Sequence, residues 1–196
     1  MKQKPVLIGM NNPLSSMDGH QLFPAPEGCT GHRIWKMLQE RLPHVSRRSY
    51  LDTFERRNLV VGQQWSSTLG RSEAERVFAE FWGSGRVIVL LGEDVRRAFG
   101  HPRLVVEPQL IGGCTWRQVP HPSGRNLWYN SVNHRKMVGT LLEELYENYH
   151  RDAIGLSAGG GVLEGSAVEG HADEDQRRRH RADTDTDQGD DGAAGA

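Results

Sequence analysis

Apolar residues fall in short clusters along the chain, and the spacing within each cluster marks an element. Val6-Leu7-Ile8 is an unbroken aliphatic run closed by Gly9, the pattern of a buried strand. From Gly31 to Leu42 the spacing changes to that of a helix, with Ile34, Trp35, Leu38 and Leu42 on one stripe and Pro43 as the stop. Asn58–Val61 reads as a second short strand. Ser72, with Glu75 three residues on, offers a capping box. The helix it predicts runs through Val77, Phe78, Phe81 and Trp82 to Gly83, and Trp35, Phe78, Phe81 and Trp82 are assigned to the core. Val87–Leu91 is the clearest buried strand, and a short helix, Glu93–Phe99, follows it. Leu104–Val106 and Thr115–Val119 read as further strands. Ser131–Tyr149 is the closing helix, with a wide apolar face from Val132 to Leu145. Strands alternating with helices predict an α/β fold: a three-layer α/β/α sandwich on a short, mainly parallel central sheet.

The pattern ends near residue 154. From Gly155 to Ala196 there are 10 acidic residues against 4 Arg, a Gly159-Gly160-Gly161 run, and no large apolar residue after Val168. Such a segment cannot bury enough surface to offset its ordering entropy, so 155–196 is expected to be a disordered, low-complexity acidic tail. Charge then changes the picture. The whole chain, with Lys+Arg 24 and Asp+Glu 25, is near neutral, but residues 1–154 carry 20 basic and 15 acidic residues. A mildly basic body is compatible with a polyanionic partner. About 150 residues suits one domain that buries roughly 68–70% of its unfolded surface, so disulfide staples are not required. The two cysteines, Cys29 and Cys114, read as reduced thiols and cannot alone ligate a cluster or a four-ligand zinc site. No run approaches the ~18–20 apolar residues of a membrane span. His32, His44, His101, His134 and His150 show no metal-ligand spacing, and no Walker loop is present. The expectation is a cytoplasmic monomer with no cofactor, no metal and no membrane association.

In parallel sheets, ligands bind beyond the C-terminal ends of the strands. Two segments there carry candidate chemistry. After Ile8 comes Gly9-Met10-Asn11-Asn12-Pro13-Leu14-Ser15-Ser16, a loop with two carboxamides that can hold a water or read a base edge. After Val119 comes Pro120-His121-Pro122-Ser123-Gly124-Arg125-Asn126, where flanking prolines restrain His121. Ser123, Arg125 and Asn126 can bind phosphate or sugar oxygens.

With these two loops in this order, residues 5–149 resemble the uracil-DNA glycosylase superfamily. Its members share a Gly-x-(Asp/Asn/Glu)-Pro-like loop after a strand and a late His-Pro-Ser loop before the final helix. Gly19–Leu38, ending in Ile34-Trp35-Lys36, is similar to the family's aromatic loop and following helix, and Arg57-Asn58-Leu59-Val60 to its second strand. Here three residues separate Gly9 from Pro13, where the family usually has two, so either Asn11 or Asn12 takes the water-binding position. Asn at that position resembles the mismatch-specific thymine/uracil branch. His-Pro-Ser-x-Arg-Asn is closer to the single-strand-selective branch.

The resemblance implies a hydrolase of N-glycosyl bonds acting in base excision repair. The target would be uracil or a modified or mismatched pyrimidine flipped out of single- or double-stranded DNA in a bacterial or viral-host cytosol, associated with the nucleoid. It implies Asn11, Asn12 and His121 as catalytic residues, with His121 the donor to the departing base. Met10, Asp18, Phe23 and Asn58 would bind substrate: Phe23 as the aromatic platform, Asn58 as the base reader, Asp18 as a reserve base. Ser15, Ser123, Gly124, Arg125 and Asn126 would bind DNA, and Leu127, Trp128 and Tyr129 stand where family members place a wedge. An Asn in place of Asp implies slow turnover. Two other readings keep the fold: a non-catalytic protein that recognises modified bases, and an enzyme acting on hypermodified bases.

Overall fold

The computed structural model describes residues 3–12, 18–101 and 108–153. Five strands form one sheet: β1 (Val6–Asn12), β2 (Glu55–Val61), β3 (Val87–Leu91), β4 (Gln109–Ile111) and β5 (Cys114–Val119). Their order is β2-β1-β3-β5-β4, and all neighbours run parallel except the β4–β5 pair. The helices are α1 (Thr30–Arg41), α2 (Arg47–Thr53), α3 (Ser67–Phe81), α4 (Glu93–Ala98) and α5 (Val132–Ala153).

Strand alternation divides the buried residues between two cores. Leu7, Val89, Leu91 and Val119 pack with Ile34 and Leu38 of α1, Tyr50 of α2, and Leu141 and Leu142 of α5. Val6, Ile8, Ile88 and Leu90 pack with Val77 and Phe81 of α3 and Val95 of α4. Helices therefore cover both faces, as an α/β fold requires. The connection from β1 to β2 goes one way along the sheet through α1 and α2. The connection from β2 to β3 goes the other way through α3, on the opposite face. Right-handed crossovers demand that change of face when direction reverses.

Several boundaries differ from expectation. Ser66, rather than Ser72, caps α3: its Oγ accepts the Leu69 N–H at 3.2 Å. Helix α3 thus starts more than a turn earlier, with Gly70 beneath the Trp65 ring. Helix α2 has only Tyr50 and Leu51 as large apolar residues and gives no periodic signal; Ser46 caps it. Strand β2 begins three residues early, on a sheet edge where Glu55 and Arg57 form ion pairs and Arg56 bonds the Gln21 carbonyl. Strand β4 was not expected; it closes a hairpin onto β5 through Gly112-Gly113, whose φ of 58° and 75° suit a two-residue turn. Trp82 is 64% exposed and lies on Gly112 rather than in the core. Leu104–Val106 and the 155–196 tail lie outside the described residues. Among the described residues, no helix is long and apolar enough to cross a membrane.

Candidate functional site

The sheet order reverses between β1 and β3, and a crevice opens there at the C-terminal ends of the strands. A cleft of about 220 Å³ occupies that position. Met10 of β1, Leu91 and Gly92 at the end of β3, Asp94 of α4, and His121 beyond β5 all line it. Met10 of the first segment and His121 of the second therefore meet in one place.

His121 is held by its own loop. Gly92, at φ 107°, donates its N–H to the Val119 carbonyl at 2.8 Å, and a Cβ on Gly92 would lie 3.0 Å from the Cβ of His121. Only glycine lets α4 and the His121 loop approach so closely. The His121 carbonyl accepts from the Ser123 N–H at 2.8 Å and from Asn126 Nδ2 at 2.9 Å. Asn126 Oδ1 accepts the Trp128 N–H at 3.1 Å, and the Tyr129 hydroxyl donates to the Pro120 carbonyl at 2.6 Å. Both ends of the Asn126 carboxamide thus shape the loop, and a DNA contact would have to share them. The imidazole is half-buried. Burial lowers its pKa below the usual 6.5, and the Asp94 charge only partly opposes that, which favours the neutral ring.

Asn58, on the edge strand β2, lies on the sheet face opposite Met10 and does not line this cleft. It pairs with Gly9, and its Oδ1 occupies the space a Cβ on Gly9 would need. Gly9 is therefore the gap through which the Asn58 carboxamide lies over β1, one residue before Met10. The Asn58 N–H donates to Gln21 Oε1 at 2.6 Å, and Arg56 Nη1 donates to the Gln21 carbonyl at 3.0 Å. Buried Gln21 thus fixes β2 at this point. It was not singled out in the sequence, because nothing marks a long carboxamide as the cover of a strand edge. Asn58 also lines a larger groove of about 600 Å³ along β2. Ion pairs such as Arg57–Glu80 and Arg76–Glu73 run along that groove. The switch-point cleft is the better site for chemistry, since it holds His121.

The first loop is a correction. Asn11 and Asn12 continue β1, opposite Val60 and Val61 of β2, and the Asn12 carbonyl accepts the Gly62 N–H at 3.0 Å. Pairing with β2 extends the strand past Gly9. Alternation then places Asn11 on the face of Gly9 and Asn58, and Asn12 on the face of Met10. The two candidates for the water-binding position are thereby on opposite sides of the sheet.

The remaining residues are placed as follows. Phe23 is 39% exposed, a surface ring rather than a core one, and its carbonyl accepts Cys29 Sγ–H at 3.3 Å. Asp18 opens a short 3-10 turn, Asp18–His20. Ser15 lies outside the described residues. Ser123 is half-buried, while Gly124 and Arg125 are exposed. Leu127 is 76% exposed. Trp128 instead stacks on His134 at 4.0 Å between ring centroids, and Tyr129 is buried. Glu93 and Asp94 are carboxylates of the cleft that the motif reading passed over, although their position directly after a buried strand was a usable signal. Glu93 is held by Arg96 at 2.6 Å and by Gln118 at 3.2 Å, and these partners pull its pKa down to about 2. Among the described residues, no three His, Cys, Asp or Glu side chains cluster to hold a metal ion. No family model matches the chain, and no curated protein is significantly similar to it.

Proposed function

We propose that this chain is a DNA glycosylase that hydrolyses the N-glycosidic bond of uracil, or of a modified or mismatched pyrimidine, flipped out of DNA. One observation carries the reading: Met10, from the segment after Ile8, and His121, from the segment after Val119, share the switch-point cleft. Flipping the base costs a few kcal/mol, about what exposed Leu127 would help recover by filling the vacated stack. As the C1′–N1 bond breaks, its electron pair goes to the base and charge gathers on O2. His121 donates a hydrogen bond to that oxygen, and Asn58 reads the base edge. Water held by Asn11 or Asn12 adds at C1′, and the proton it loses goes to the departed base anion through solvent. A carboxamide activates water weakly, so catalysis leans on leaving-group stabilisation, and turnover is slow.

The test is alkali-revealed scission of oligonucleotides carrying uracil in single strands or opposite G or A. Scission that drops at least about tenfold in only one of Asn11→Ala and Asn12→Ala identifies the water-binding side. The absence of a carboxylate at the end of β1 favours a second reading, a protein that binds modified bases without cleaving. Tight binding to uracil or modified-base DNA with no abasic product would select it.

A further inference from the structure

A second cleft, of about 260 Å³, lies between α1, Pro122 of the His121 loop, and the start of α5. Two guanidinium groups and an ammonium frame it: Arg33, Lys36 and Arg135. Each is oriented from within the protein. Arg33 Nε donates to the Gly28 carbonyl at 3.3 Å, and its Nη2 lies 3.0 Å from where a Cβ on Gly124 would stand. Arg135 Nη1 donates to the Tyr129 carbonyl at 2.7 Å. The Lys36 ammonium lies 5.0 Å from the Trp35 ring centroid and donates to Gln39 Oε1 at 3.0 Å. Glu27 and Glu40 also line the cleft. The cations outnumber the acids by one, so the cleft suits a single anion better than a continuous polyanion track.

We propose that this cleft binds one backbone phosphate of the DNA strand whose base enters the His121 cleft. The proposal rests on DNA being the substrate. Its physical basis is the shared loop. Gly124 contacts Arg33, and Pro122, the residue after His121, forms part of the cleft wall. Guanidinium forks match phosphate oxygens, and those already fixed by one backbone carbonyl lose little freedom on binding. A phosphate seated here would set the register of the strand along the loop. Phosphate contacts position a nucleic acid without reading its sequence.

The experiment uses the full chain and an unmodified single-stranded oligonucleotide, with fluorescence anisotropy measured across a salt series. The Arg33→Gln/Lys36→Gln double variant is compared with wild type and with Arg71→Gln, an exposed position on α3 across the sheet. Circular dichroism checks that each variant is folded. The expected result is about tenfold weaker binding for the double variant at low salt. Its log–log salt slope should be shallower by about 0.7, the value for one phosphate. The Arg71→Gln chain should match wild type. Unchanged affinity and slope in the double variant would overturn the proposal. So would a slope change of about 1.4, which means two separate phosphates, or an equal loss in Arg71→Gln, which means bulk charge. A wild-type chain that binds no DNA at any salt would overturn the glycosylase reading itself, and this proposal with it.

Discussion

The two ends of the sheet use polar residues in opposite ways. At the N-terminal end, charges pair with each other. Arg86, only 12% exposed at its side chain, bonds Glu55 at 2.5 Å and the Lys4 carbonyl at 2.6 Å. Glu55 also bonds Arg57 at 2.6 Å, and Arg57 reaches Glu80 at 2.7 Å. Both guanidinium groups rest over the Phe81 ring at 4.9 Å. A groove of about 450 Å³ opens there, but the charges along it face one another. At the C-terminal end Glu93 still pairs with Arg96, but the His121 loop is fixed by backbone. The carbonyls of Val119, Pro120 and His121 and the Asn126 carboxamide hold the His121 loop. The imidazole lines a cleft, and Leu127 stands in solvent. Charge that satisfies itself stabilises; polar groups positioned by backbone are available to a ligand.

The comparison breaks or sharpens by substitution at each end. Gly9→Ala drives a Cβ into Asn58 Oδ1. It should cost about 1–3 kcal/mol of stability and lower excision by as much as Asn58→Ala does. Urea unfolding and an excision assay check the two parts. Arg86→Ala should also cost about 1–3 kcal/mol, because it leaves Glu55 short of a partner. Under conditions where the variant is folded, its excision rate should match wild type. Equal damage to stability and catalysis at both ends would remove the distinction.

The pH dependence is smaller and has two windows. Burial lowers the pKa of His121, and burial with the Arg96 charge lowers that of His101. The unfolded chain then binds more protons than the folded one below the usual 6.5. Stability is therefore complete above that pH and falls as pH drops through it toward the lowered values. Glu93, held down to about 2, contributes stability above the usual 4.5 that is lost as pH falls toward 2. Melting temperature against pH should show the first decline near pH 6.5 and a second below 4.5. Replacing His101 and His121 by Gln should flatten the first and leave the second.

The central strands and helices α1 and α5 were legible because their apolar periods are unbroken: Val6-Leu7-Ile8, Val87–Leu91, and the stripes of α1 and α5. Of the candidate site, two segments after two strands were singled out, and the topology brings Met10 of one and His121 of the other together. What stayed hidden was set by tertiary partners. In Glu55-Arg56-Arg57, Arg86 pairs with Glu55, Glu80 pairs with Arg57, and Arg56 bonds the Gln21 carbonyl, all partners distant in sequence. Asn11 and Asn12 extend β1 because β2 is beside them. Gln21 matters through one long-range bond to Asn58 that no local pattern announces.

The most direct test is single-turnover release of uracil from an oligonucleotide by wild type and His121→Ala, side by side, with melting temperatures matched. Losing a positioned donor of this kind costs about 100-fold or more. The expected result is release by wild type, a drop of at least that size in the variant, and an unchanged fold. Equal rates in the two chains would remove His121 from the chemistry and contradict the assignment of the switch-point cleft as the site of excision.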